Sequence, residues 1–169
     1  MQSWTFYRVA RRRIAGEISI VAASPVDIVH ILSRLNPGLP VRPPVPNPLV
    51  TRLVANRHGR VCGFVELVRH PPEDAPYVGH WLFGLIVLDP LDRGLGIGEA
   101  LARRVVEMAR SEGAGELWLV VAEKNVPAIG LYRKLGFERS ALEGLEDLLE
   151  EGAGTTGRRR ITMVKVLHE

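Results

Sequence analysis

Between residues 89 and 98 the chain reads Asp89-Pro90-Leu91-Asp92-Arg93-Gly94-Leu95-Gly96-Ile97-Gly98, with an apolar stretch before it and a helical pattern after it. The start of a helix offers unpaired backbone N–H groups and a partial positive charge. Glycines let a phosphate approach that backbone closely. The local chemistry is therefore a grip on a pyrophosphate or another polyanion. A dinucleotide fingerprint would need glycine at 99 or 101, where Glu99 and Leu101 stand, and no Gly-Lys-Ser/Thr follows for a Walker loop. The pattern that fits is R-x-x-G-x-G at Arg93, Gly96 and Gly98. Taken alone, such glycines also serve a plain tight turn.

A second constellation lies downstream: Asn125-Val126-Pro127-Ala128-Ile129-Gly130-Leu131-Tyr132-Arg133-Lys134-Leu135-Gly136-Phe137. With it in view, the chain resembles the GNAT superfamily of acetyl-CoA-dependent N-acetyltransferases. The resemblance rests on R-x-x-G-x-G followed by N-x-x-A-x-x-L-Y-x-x-L-G-F, and on the approach Ile86-Val87-Leu88-Asp89-Pro90. It is close over residues 81–137, looser over 17–68 and silent on 1–16.

That resemblance implies acetyl-CoA as co-substrate, with no metal. The backbone of Ile86, Val87 and Leu88 would lie along the pantetheine and thioester. The N–H groups of Gly94, Leu95, Gly96, Ile97, Gly98 and Glu99 would bind the pyrophosphate, with Arg93 shaping the turn. Asn125 would stand near the pantetheine arm, a role compatible with capping the next helix. Tyr132 occupies the family's general-acid position, where a phenol would protonate the leaving thiolate; an unperturbed pKa of about 10 keeps it able to donate. Burial as a core tyrosine is the plain alternative. Some members place a glutamate five residues before the asparagine, and here that residue is Val120. His80 is then the candidate base, sharing strand parity with Leu82 and Gly84. A solvent-facing strand end explains His80 equally well.

The elements that must position these groups follow from pattern. Strands are expected over 4–9, 17–22, 51–56, 61–68, 77–88, 116–122 and 160–167, and helices after Ser24-Pro25, over 99–112 and over 126–135. Arg57-His58-Gly59-Arg60 reads as a tight hairpin turn. Residues 36–48 hold six of the twelve prolines and read as a stiff loop. A short helix is expected over 141–151, with Leu142, Leu145, Leu148 and Leu149 inward, then a flexible loop over 152–157. The fold class is α/β: a GNAT-like mixed, largely antiparallel sheet flanked by helices. We expect one N-acetyltransferase domain over residues 1–169, with 1–16 as an N-terminal extension carrying an extra strand.

Composition narrows the classes. At 169 residues, 46% hydrophobic and 24% charged, the chain is an ordinary globular domain, neither disordered nor fibrous. A net charge of +3 is too mild to argue for nucleic acid. Arg11–Arg13 and Arg158–Arg160 read first as solvated strand ends. Cys62 is the single cysteine, which excludes an intrachain disulfide, and the five histidines show no metal-ligand spacing. The longest apolar run, 81–88, is far below a membrane span, and Glu17 and Asp27 bracket the stretch after Arg11–Arg13 too closely for a secretion signal. The expectation is a cytoplasmic protein that does not bind membranes or nucleic acid. It would act on a primary amine of a small molecule or peptide; a non-catalytic acyl-CoA-binding module is the alternative. Five acids over 143–151 suggest a cationic acceptor, and a well-patterned last strand with an uncovered edge suggests a homodimer.

Overall fold

The computed structural model describes residues 5–7 and 18–168. The chain forms β1 (Thr5–Tyr7), β2 (Ile18–Ala22), α1 (Pro25–Leu35), β3 (Val50–Arg57), β4 (Arg60–His70), β5 (Gly79–Val87), α2 (Ile97–Ser111), β6 (Glu116–Ala122), α3 (Val126–Lys134), β7 (Glu138–Arg139), α4 (Leu145–Thr156) and β8 (Arg160–Val166). The α/β class with a largely antiparallel sheet is as expected. Of the N-terminal extension, the strand at Thr5–Tyr7 is described and pairs antiparallel with Ile18–Ile20; the rest of residues 1–17 lies outside the described residues.

Two compact units divide the chain: residues 1–66 with 84–104, and residues 67–83 with 105–169. In the first, the hydrogen-bonded strand order is β1-β2-β3-β4-β5. Its helix α1 starts with a reciprocal cap. Ser24 Oγ accepts from the Asp27 N–H at 3.1 Å, while the Ser24 N–H donates to Asp27 Oδ2 at 2.8 Å. β3 turns into β4 through His58 and Gly59, with φ of 51° and 71°. Two consecutive positive φ values are the mark of a tight hairpin turn that matches strand twist. Gly63 lets α2 sit close: a Cβ there would stand 2.9 Å from both Ile97 Cγ2 and Leu101 Cδ1.

In the second unit the order is β4-β5-β6-β8-β7. β6 and β8 pair along their whole lengths, from Glu116↔Val166 to Ala122↔Arg160. The β5–β6 pairing is parallel and covers only His80↔Leu117 and Trp81↔Trp118. One core cluster joins Trp81, Leu145 and Leu149, with Tyr77, Trp118 and Val120 against it.

Three sequence expectations change here. α4 runs over Leu145–Thr156, so residues 152–156 are helix and not loop. The threonine hydroxyls back-bond to carbonyls one turn earlier (Thr155 to Glu151 at 3.2 Å, Thr156 to Gly152 at 2.7 Å), and Gly157, at φ 68°, stops the helix. Leu148 is exposed, because Leu145 and Leu149 alone fall on the buried face. β8 is not an uncovered edge: β7 pairs with Met163 and Val164.

Candidate functional site

The glycine turn belongs to the first unit. Gly94 and Gly96 have φ of 74° and 84°, a region that side chains oppose, so the turn depends on glycine at both positions. α2 begins at Ile97, and Ala100 N–H closes its first bond on Gly96 O at 3.0 Å. Among the described residues, the N–H groups of Gly94, Leu95, Gly96, Ile97 and Gly98 donate no hydrogen bond to the chain. Five undonated N–H groups and a helix start thus fall in one short segment, the chemistry that an anion site requires.

What fixes this turn is Asp92, which pattern reading passed over. It is 3% exposed and sits between Arg57 Nη1 at 3.2 Å and Arg60 Nη2 at 3.0 Å. Asp89 adds a looser contact to Arg60 at 3.7 Å and caps the short turn through the Leu91 N–H at 2.9 Å. The β3–β4 hairpin therefore clamps the segment by charge. A buried, doubly paired carboxylate of this kind is costly to leave unpartnered.

The Leu88 N–H donates to Cys62 O at 3.0 Å, and the Leu88 carbonyl accepts from Arg34 at 3.4 Å. Its backbone is thus engaged within the chain, unlike the turn that follows. Cys62 is fully buried, donates to Ala55 O at 3.3 Å, and has its thiol pKa pushed up to about 11, chiefly by burial and then by Asp92. It is an inert small hydrophobe.

On the neighbouring strand, Glu66 Oε1 accepts from Arg52 Nε at 2.8 Å. A Cβ at Gly84, whose φ is 61°, would stand 3.8 Å from Glu66 Oε2 and 3.6 Å from Phe64 Cε1. Glu66 was not singled out from sequence, although a lone carboxylate inside the apolar strand 61–68 is itself a signal.

The second unit holds the other expected residues. Asn125 caps α3, its Oδ1 accepting from the Ala128 N–H at 3.3 Å. Tyr132 is 6% exposed and packs edge-on to Phe137 with ring centroids 5.8 Å apart. Its hydroxyl makes no hydrogen bond among the described residues, and burial pushes its pKa up to about 12. The phenol stays protonated across the working pH range.

His80 stands at the start of β5, its Nε2 3.0 Å from Glu112 Oε2. Arg69 grips the same carboxylate through Nε at 2.7 Å. Hydrogen bonds from Arg69 and then His80 hold the Glu112 carboxyl below its usual range. His80 and Gly84 both lie in β5, and Gly84 has a positive φ of 61°.

An open cleft of about 1190 Å³ lies among the end of β6, β7, α4 and the start of β8. Its lining mixes the acids Glu123, Glu146 and Glu150 with Lys124, Arg139, Arg158, Arg159 and Arg160. Of the acids over 143–151, Glu146 and Glu150 reach it; Glu143, Asp147 and Glu151 do not. Thr162, 4% exposed, also lines it, and its buried hydroxyl has no hydrogen-bond partner among the described residues. Thr162 is the register partner of Val120, where some members carry a glutamate. His80 is not part of this lining.

Among the described residues no group of His, Cys, Asp or Glu gathers as a metal ion would need, and no helix is long and apolar enough to cross a membrane.

Comparison with known proteins gives the family. Residues 39–137 match the acetyltransferase (GNAT) family. A streptothricin acetyltransferase of Streptomyces lavendulae is 42% identical over 78 residues, covering 46% of this chain and 40% of that protein. A solved nourseothricin acetyltransferase is 31% identical with a TM-score of 0.56, covering 77% of this chain and 75% of that one. The ribosomal-protein-S18-alanine N-acetyltransferase of Escherichia coli shares the fold, with a TM-score of 0.63 at 21% identity over 90% of this chain and 95% of that one. The chain spans less than half the length of the curated streptothricin and mycothiol acetyltransferases it matches. It belongs to the GNAT acetyltransferase family.

Proposed function

We propose that this GNAT family member moves an acetyl group from acetyl-CoA directly to a primary amine of a small molecule or peptide, all 169 residues serving as one acetyltransferase domain. The observation that carries the reading is the set of five undonated N–H groups at Gly94–Gly98, the chemistry a pyrophosphate requires. Arg93 and Glu99 complete the turn on this reading. Ile86 and Val87, whose strand leads into it, lie along the pantetheine, with Asn125 near that arm. Leu88 contributes less, since its own backbone groups are engaged.

Tyr132 acts as the general acid. The amine attacks the thioester carbonyl, the C–S bond breaks, and the departing sulfur takes the phenol proton. A raised pKa keeps that proton in place until the thiolate forms. His80, expected to take the amine's proton, has its ring nitrogen on Glu112.

The cleft beside α4 is the acceptor's approach. Glu146 and Glu150 favour a protonated amine there, and the arginines of β8 temper that preference. A homodimer through the stretch of β8 beyond β7, where Val166 is exposed, belongs to the same reading. A cytoplasmic location belongs to the same reading and rests on the single free thiol of Cys62.

The test is turnover of acetyl-CoA against a panel of amines, read as free CoA thiol. Acetylated product with at least one amine, lost in Tyr132→Phe, supports transfer. Coenzyme binding without turnover of any amine would favour the acyl-CoA-binding module.

A further inference from the structure

We propose that Glu66 is the base that takes the acceptor amine's proton, an assignment that rests on the acetyl-transfer reading above. Gly63 packs on Ile97 and Leu101 of α2, so alternation sends Phe64 and Glu66 to the opposite face of β4. There the neighbouring strand offers Gly84, so no side chain from position 84 covers Glu66 Oε2. A Cβ at 84 would sit in van der Waals contact with that carboxylate and the Phe64 ring, and any side chain there would be strained by a φ of 61°.

The carboxylate is also held for the task. Arg52 fixes Oε1 at 2.8 Å, while Oε2 makes no hydrogen bond among the described residues and keeps its lone pairs available. The side chain is 17% exposed, so a small amine or a single water can reach it in a mostly dry setting. Gly84 lies two residues, about 7 Å of strand, before Ile86, where the thioester-lining segment begins. This spacing suits a base acting on a nitrogen that attacks the thioester carbon, directly or through one water.

The nitrogen lone pair forms the C–N bond at the thioester carbonyl, and the N–H proton passes to Glu66 Oε2. The C–S bond breaks with its electron pair on sulfur, which takes the proton supplied by Tyr132. Solvent then removes the proton from Glu66 and restores that of Tyr132, leaving the N-acetyl amine and free CoA thiol.

The experiment measures kcat and KM for acetyl-CoA and for aliphatic and weakly basic amines in the wild type, Glu66→Gln, Glu66→Asp and His80→Gln. Glu66→Gln keeps an oxygen for Arg52 and is expected to lower kcat about 100-fold for an aliphatic amine, with the KM for acetyl-CoA unchanged. The loss should shrink below about tenfold for a hydrazide, whose nitrogen sheds its proton easily. Glu66→Asp keeps the charge and should fall in between; it decides the matter should the glutamine variant fail to fold. The proposal is overturned by an unchanged kcat in both Glu66 variants, by a higher acceptor KM at unchanged kcat, or by loss confined to His80→Gln. A wild type that binds acetyl-CoA and acetylates no amine would overturn the acetyl-transfer reading itself, a different result from an active wild type matched by its Glu66 variants.

Discussion

The turn at residues 89–98 and the cleft beside α4 treat polar groups in opposite ways. At the turn, the inward carboxylate of Asp92 is satisfied by two arginines, and what remains unpaired is backbone N–H. In the cleft the charges are side chains of both signs, largely solvated, with a contact as loose as the 3.9 Å between Arg139 and Glu123. Backbone donors fixed by a buried ion pair cannot rearrange to suit a ligand, so such a site is built for one chemical group. A cleft of solvated side chains can be retuned by substitution without disturbing the fold.

The largest expected effect tests the rigidity of the turn. Asp92→Ala removes the buried carboxylate that Arg57 and Arg60 share and should cost about 3–5 kcal/mol in urea unfolding, along with coenzyme affinity. Gly96→Asp attacks the same region from the ligand side. It places a carboxylate where the pyrophosphate is read to sit, at a backbone φ of 84°, and should weaken acetyl-CoA binding at least about 100-fold by calorimetry. Gly96→Ala, which adds strain without charge, should weaken it less.

Tyr132→Phe should lower kcat by about 100-fold with coenzyme binding retained. The same variant has an alkaline signature. A folded pKa of about 12, above the ordinary 10, gives stability that is fully present below pH 10 and lost as pH rises from 10 through 12. The difference in unfolding free energy between wild type and variant should therefore change by up to about 2.7 kcal/mol over that window. The smallest effect belongs to the cleft. Neutralising Glu146 and Glu150 together should raise KM for a cationic amine about two- to threefold at low salt and hardly at all at high salt, as screened attraction requires.

The same contrast explains how much could be read from sequence. The turn was legible because positive φ leaves its trace as glycine at fixed positions, and Asn125 and Ser24-Pro25 announced helix starts by chemistry local to the chain. Asp92 was not, because its partners lie 32 and 35 residues away and only the folded hairpin brings them near. The extent of α4 was missed because Gly152 and Gly154 read as loop, while threonine back-bonds and packing of Leu145 and Leu149 carry the helix past them. β7 has two residues, too few for any periodicity. The orphaned Thr162 hydroxyl depends on which face β8 turns inward and left no mark in the pattern.

The coenzyme's place on the turn can be read amide by amide. Titrating acetyl-CoA into ¹⁵N-labelled protein should move the backbone N–H resonances of Gly94, Leu95, Gly96, Ile97 and Gly98 more than those of any other segment, and Gly96→Asp should abolish the change. Saturation by acetyl-CoA with those five amides unmoved would contradict the assignment.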